Sequence, residues 1–305
     1  MTSISPEQLW SRAEQSSTVT KILQWPLVRS IVAVLFLAVV IMTHNVVTIY
    51  GLERIPEPYF NFILNAESIL VFLGLMWVYR QYTRIVEKRK ALEISTNRSL
   101  AETLSGFTVG GGLVTLQVGL MAILGYYRVE STAPTITLLH ALFTFGMGAL
   151  VQEFFFRGIV FRNLEEMLGS WGAMAAIALI FGAVHLGNEN ATMWTSLALI
   201  FADILLTATY MLTRRLWMVW GLHMGWNFMQ DGVFGMPNSG ITSLKSWITS
   251  AVEGPAWITG GSFGIEASYL AIGLSVLVAL VLLRMVISQG KIVRPCWVRN
   301  RASSG

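Results

Sequence analysis

Runs of about twenty apolar residues, repeated along the chain, most constrain what this sequence can fold into. A helix of that length crosses a bilayer core, and inside lipid only helices and closed barrels satisfy every backbone N–H and C=O. Eight such runs can be read, roughly 27–50, 59–79, 105–127, 135–160, 171–187, 192–213, 215–230 and 267–287. They predict an all-α fold, a polytopic membrane helix bundle with about eight transmembrane helices. Composition agrees: 12% of residues are charged, against about 25% in a soluble domain.

Charge placement orients the bundle. Of the 21 Lys and Arg residues, 18 fall in segments that alternate spans would place on one side, and only Arg54, Arg128 and Lys245 fall on the other. By the positive-inside rule both termini are cytoplasmic and the span number is even. The net charge of +4 is then a topology signal and a match to anionic lipid heads, which excludes nucleic acid as a partner. Residues 1–26 are a cytoplasmic or interfacial lead-in that lacks the pattern of a signal peptide. Within it Ser5-Pro6-Glu7-Gln8 reads as a helix start. The single cysteine, Cys296, rules out an intrachain disulfide and a Cys-based metal site.

Several polar residues do not belong in lipid. Glu153 and Arg157 lie four apart in the fourth run, share a helical face and can pair. A charged group at membrane depth costs at least a few kcal/mol and is normally cavity-facing and functional. Glu153, His185 in the fifth run, and His223 with Asn227 in the seventh all lie roughly 12–20 Å from the basic side at 1.5 Å per residue. One polar layer can therefore hold all four. His44, Asn45, Glu67, His140 and Asp203 have no motif partner and read as helix-packing groups. Glu165-Glu166 reads as solvated at the membrane edge. Gly110-Gly111-Gly112 lacks the Lys-Ser/Thr of a phosphate loop and reads as a close helix contact. The segment Asp231–Glu266, rich in Gly, Ser, Pro and Trp, is long enough to be a structured lid or re-entrant loop over the site.

Gln152-Glu153-x-x-x-Arg157, Phe181-x-x-x-His185 and His223-x-x-x-Asn227, in this order on successive runs, resemble the three motifs of the CPBP family of intramembrane endoproteases. That family includes the CAAX prenyl proteases and the Abi proteins. His185-Leu-Gly-Asn-Glu-Asn-Ala-Thr192 and Gly254-Pro-Ala-Trp-Ile-Thr-Gly-Gly-Ser-Phe-Gly264 resemble its bacterial branch. The resemblance covers about residues 105–287. It implies a protease core at 105–290, preceded by two spans and a basic cytoplasmic loop at 27–104 and followed by a cytoplasmic tail at 291–305. It also implies a bacterial inner-membrane location and a membrane protein or peptide as substrate, with no cofactor; oligomeric state stays open. Catalytic roles carry over as Glu153 and His185 activating water and His223 and Asn227 forming an oxyanion hole, with Gln152 and Arg157 supporting.

One position departs from the family pattern. Its first motif opens with two glutamates, and the first is usually assigned to water activation; here that residue is Gln152, whose amide cannot take a proton. Three alternatives stay open: a catalytically impaired relative that binds a client or confers immunity, an ion-coupled transporter using the same groups as a relay, and a zinc site on Glu153, His185 and His223. The transporter reading lacks the paired broken helices such folds show. The zinc reading lacks a His-Glu-x-x-His helix.

Overall fold

The computed structural model describes residues 4–14, 17–51, 57–241 and 246–302, without side chains for 44–58, 60, 61 and 300–302. Helices α1 (Pro26–Gly51), α2 (Glu57–Ile85) and α3 (Ser99–Ile123) lead into strand β1 (Tyr127–Thr132). Helix α4 (Ile136–Glu153) runs unbroken into a π-helical segment, Phe154–Phe161, and on into α5 (Arg162–Val184). After α6 (Met193–Thr213), helix α7 (Leu216–Asn227) also passes into a π turn, Phe228–Val233. Strand β2 (Ile248–Val252) and helix α8 (Tyr269–Ser288) follow.

The structure is a helical bundle, as expected. Among the described residues six stretches are long and apolar enough to cross a membrane, fewer than the eight runs read from sequence. The 52-residue stretch Ile136–Gly187 contains both the fourth and the fifth run. They separate at Gly169, where φ is +72° and a Cβ would stand 2.7 Å from the Val293 carbonyl oxygen. The seventh run becomes α7, whose 12 residues span only about 18 Å.

Helix α7 survives as a short helix because it lies directly on α3. A Cβ on Gly106 or Gly110 would sit 2.0 Å or 2.1 Å from the carbonyl oxygens of Met218 and Leu222, and one on Gly221 or Gly225 would sit 2.1 Å or 2.4 Å from those of Thr103 and Phe107. Glycines at four-residue spacing on both helices bring the two backbones together. That fixes the axial position of His223 and Asn227. The triplet at Gly110 is thus a helix contact, although Gly112 meets nothing. Among the described candidate spans, α6 is the most buried and the window Pro26–Thr43 of α1 the least.

Two features depart from the sequence reading. Strands β1 and β2 pair antiparallel, Tyr127 opposite Val252 and Thr132 opposite Ile248, with an irregularity between Val129 and Ser131. This small sheet ties residues 248–252 to β1, and the described residues Asn238, Ser239, Ile241 and Glu266 cover one side of a cavity. Glu165 is not solvated: it is 1% exposed, accepts hydrogen bonds from both terminal nitrogens of Arg214 and is also bonded by Ser170 Oγ at 2.5 Å. Glu166 pairs with Arg29. Several of the topology-setting basic residues are therefore spent on protein carboxylates rather than on lipid heads, including Arg215, which grips Glu102. The N-terminal lead-in does form a short 3-10 helix, Pro6–Leu9. It docks inward, with the Leu9 carbonyl accepting from Arg162 at 2.8 Å.

Candidate active site

Glu153 is the last residue of α4 and Asn227 the last of α7; each immediately precedes a π-helical segment. Such segments are rare and recur at functional sites, because an i→i+5 turn shifts the helix face that follows. Glu153 is fully buried. Its Oε1 accepts from Arg157 at 3.2 Å, as the four-residue spacing predicted, and from His223 Nδ1 at 2.7 Å. Its Oε2 has no hydrogen-bond partner. Arg157 continues the network to the carbonyl oxygen of Asp203 at 3.2 Å and to the Asp203 carboxylate. Thr207 supports the other Asp203 oxygen at 3.2 Å. Asp203, read as a packing residue, is thus the second anion on Arg157. His140 meets Asn65 at 2.8 Å, a helix contact as expected. His44 and Asn45 lie outside the described side chains.

His185 begins the 3-10 turn after α5, and its Nδ1 lies 2.7 Å from the Phe181 carbonyl oxygen. A carbonyl only accepts, so Nδ1 carries the proton and a neutral ring leaves Nε2 as the acceptor. The Phe181 ring lies 4.4 Å from the imidazole, centroid to centroid, and fixes its plane. The same ring lies 5.7 Å from the Arg157 guanidinium. The same logic puts a proton on His223 Nδ1, directed at Glu153. Both histidines therefore present Nε2 as the unassigned atom.

A cavity of about 500 Å³ is lined by Gln152, His185, His223 and Asn227 together with Phe156, Phe181, Trp226 and residues of the cover. Four of the six residues singled out from sequence reach this one space. Glu153 and Arg157 stand behind the wall. It is the neutral Gln152 that lines the cavity, and Glu153 reaches it through His223 rather than beside His185. Sequence reasoning missed Asp231 and Glu266, which also line it. Asp231 was detectable, since it continues the four-residue spacing of His223 and Asn227; Glu266 carried no local signal. The zinc set is not assembled: Glu153 Oε1 and His223 Nδ1 face each other at hydrogen-bond distance. Among the described residues no three His, Cys, Asp or Glu side chains converge to hold a metal.

Residues 134–229 match a family model described as Rce1-like, type II CAAX prenyl endopeptidase Rce1-like. The match begins just before α4 and ends past α7, so it contains all three motifs and the α3-facing glycines of α7. Comparisons with curated proteins and with solved structures gave no match.

Proposed function

We propose, from the Rce1-like character of residues 134–229 in an integral membrane chain, that this cavity cuts a peptide bond of a membrane-associated protein or peptide. The observation that carries the reading is that both imidazoles and the Asn227 amide open on one cavity, each histidine held at Nδ1. His185 Nε2 takes a proton from water as that water attacks the peptide carbonyl. His185 has no carboxylate partner among its hydrogen bonds, which suits a base that must hand its proton on to the leaving amine. His223 and Asn227 donate to the developing oxyanion. The Glu153 carboxylate accepts from Nδ1–H and fixes the orientation of the His223 ring, whose Nε2 donates when it too carries a proton. Preorganised donors of this kind contribute about 3–4 kcal/mol. Glu153 is in this account a positioning residue for His223, not the group that activates water. Arg157, shared by Glu153 and Asp203, holds it in place.

The family description makes a prenylated CAAX peptide one probe. A bacterial inner-membrane setting, with both termini cytoplasmic as the basic residues suggest, makes unprenylated membrane peptides the other. The purified protein in nanodiscs, incubated with both classes and followed by mass spectrometry, should release cleavage products. His185→Ala and His223→Ala should each lower kcat/KM by about 100-fold or more. Full cleavage in both variants would sink the reading. A second reading, client binding without cutting, is favoured by the neutral Gln152 on the cavity wall. It takes over if the wild type binds peptide without cutting it and Gln152→Glu gives no cleavage either.

A further inference from the structure

The cavity has a second polar end that the proposed chemistry leaves unused. Asp231 and Glu266 both line it, and both side chains are more than nine-tenths buried. Asp231 Oδ1 accepts from Ser246 at 3.1 Å, whereas its Oδ2, out of reach of solvent, has no hydrogen-bond partner. A buried carboxylate oxygen left without a donor is costly, and such exceptions call for an explanation. Glu266 accepts from Gln230 Nε2 and from the Ser239 backbone N–H. Burial pushes its carboxyl up to about 7. The lining includes Asn188, Asn238 and Ser239, and no lysine or arginine among the described residues. Two desolvated carboxyls on the wall of this cavity therefore lack a counter-charge among its lining residues.

Resting on the protease reading, we infer that this end of the cavity receives a cationic side chain of the substrate, a lysine or arginine within about three residues of the bond that is cut. The reach follows from two lengths. His223 and Asp231 are eight residues apart on one helical run that turns π-helical at Phe228, on the order of 10 Å along the axis. A volume near 500 Å³ corresponds to a span on the order of 10 Å, and extended peptide advances about 3.3 Å per residue. The ammonium or guanidinium supplies the positive charge that the protein does not place beside these two carboxyls. Charge-assisted hydrogen bonds of this kind distinguish a cation from an isosteric apolar group.

The test reads binding separately from cutting. In a His185→Ala background in nanodiscs, dissociation constants are measured for fluorescein-labelled apolar peptides in which one lysine is walked along the sequence. Each peptide is paired with a norleucine control at the same position. At one position lysine should bind about tenfold tighter than norleucine. Asp231→Asn and Glu266→Gln should each bring that ratio toward one, and Asp231→Lys should turn the preference toward glutamate. The ratio is taken within each variant, so a general loss of folding does not imitate the result. No lysine preference at any position overturns the proposal, as does a ratio unchanged in both neutral variants. A lysine preference in a protein whose wild type cuts no peptide keeps the cation site and removes the protease reading, and with it the placement relative to a cut bond.

Discussion

Two of the places where the described residues bury charge do so on opposite terms. One lies where α2, the following loop and the start of α5 meet the N-terminal segment. There Glu87 accepts from Tyr82 at 3.0 Å, Arg162 at 2.6 Å and Arg89 at 2.8 Å. Glu93 accepts from Tyr79 at 2.8 Å and from Arg89 at 2.9 Å and 2.6 Å. Every oxygen of these two carboxylates is engaged. The other place is the cavity and its wall, where Glu153 and Asp231 each keep one buried oxygen without a partner. Two fully buried glutamates show the consequence. Burial alone would raise Glu93, but the adjacent Arg89 outweighs it and holds the carboxyl below the usual range. Glu266, with only neutral donors, is pushed up to about 7. A completed network locks segments together, and an incomplete one facing a cavity keeps capacity for a ligand.

This contrast can be broken by experiment. The largest effect is expected in the completed network: Arg162→Met leaves Glu87 and Glu93 with one cation fewer and should destabilise the protein by about 3–5 kcal/mol, read by thermal unfolding in detergent. A negligible shift would mean that the layer is not structural. At the site the balance reverses. Glu153→Gln should lower kcat/KM roughly 10- to 100-fold through His223, with a smaller loss of stability than Arg162→Met because Arg157 keeps Asp203. If its stability loss matches that of Arg162→Met, the two regions are alike and the comparison fails.

The smallest effect concerns pH. A carboxyl raised to about 7 when folded binds more protons folded than unfolded between its ordinary value and 7. Its contribution to stability is therefore present at low pH and lost as pH rises through that window. Wild type should lose a few degrees of Tm relative to Glu266→Gln between pH 5 and pH 8. Parallel pH profiles would show that Glu266 is not isolated from compensating charge.

Much of this was legible from residue order. The apolar runs mark the membrane helices, and the Glu153–Arg157 spacing specifies a pair that forms at 3.2 Å. The motif order brings Gln152, His185, His223 and Asn227 to one cavity. The second partner of Glu153, His223, was not legible. Depth along a helix can be counted, but the facing of a side chain across to another helix depends on helix rotation, and a π segment begins at the next residue. Asp203 became a partner of Arg157 for the same reason: nothing near it in the chain signals α4. The buried cluster at Glu87 and Glu93 read as a charged loop because composition does not reveal which charges find partners.

What the sequence by itself determined is the solvent of this protein and the list of groups too polar for it. Both follow from local properties: run length, charge placement and four-residue spacing. Only the tertiary structure decided that Glu153 backs His223, that Gln152 rather than Glu153 faces the cavity, and that Asp231 and Glu266 line it too. Those are contacts between distant segments, set where glycines let α3 and α7 touch and where β2 pairs with β1. The energies that choose among such contacts act across helices, not along them.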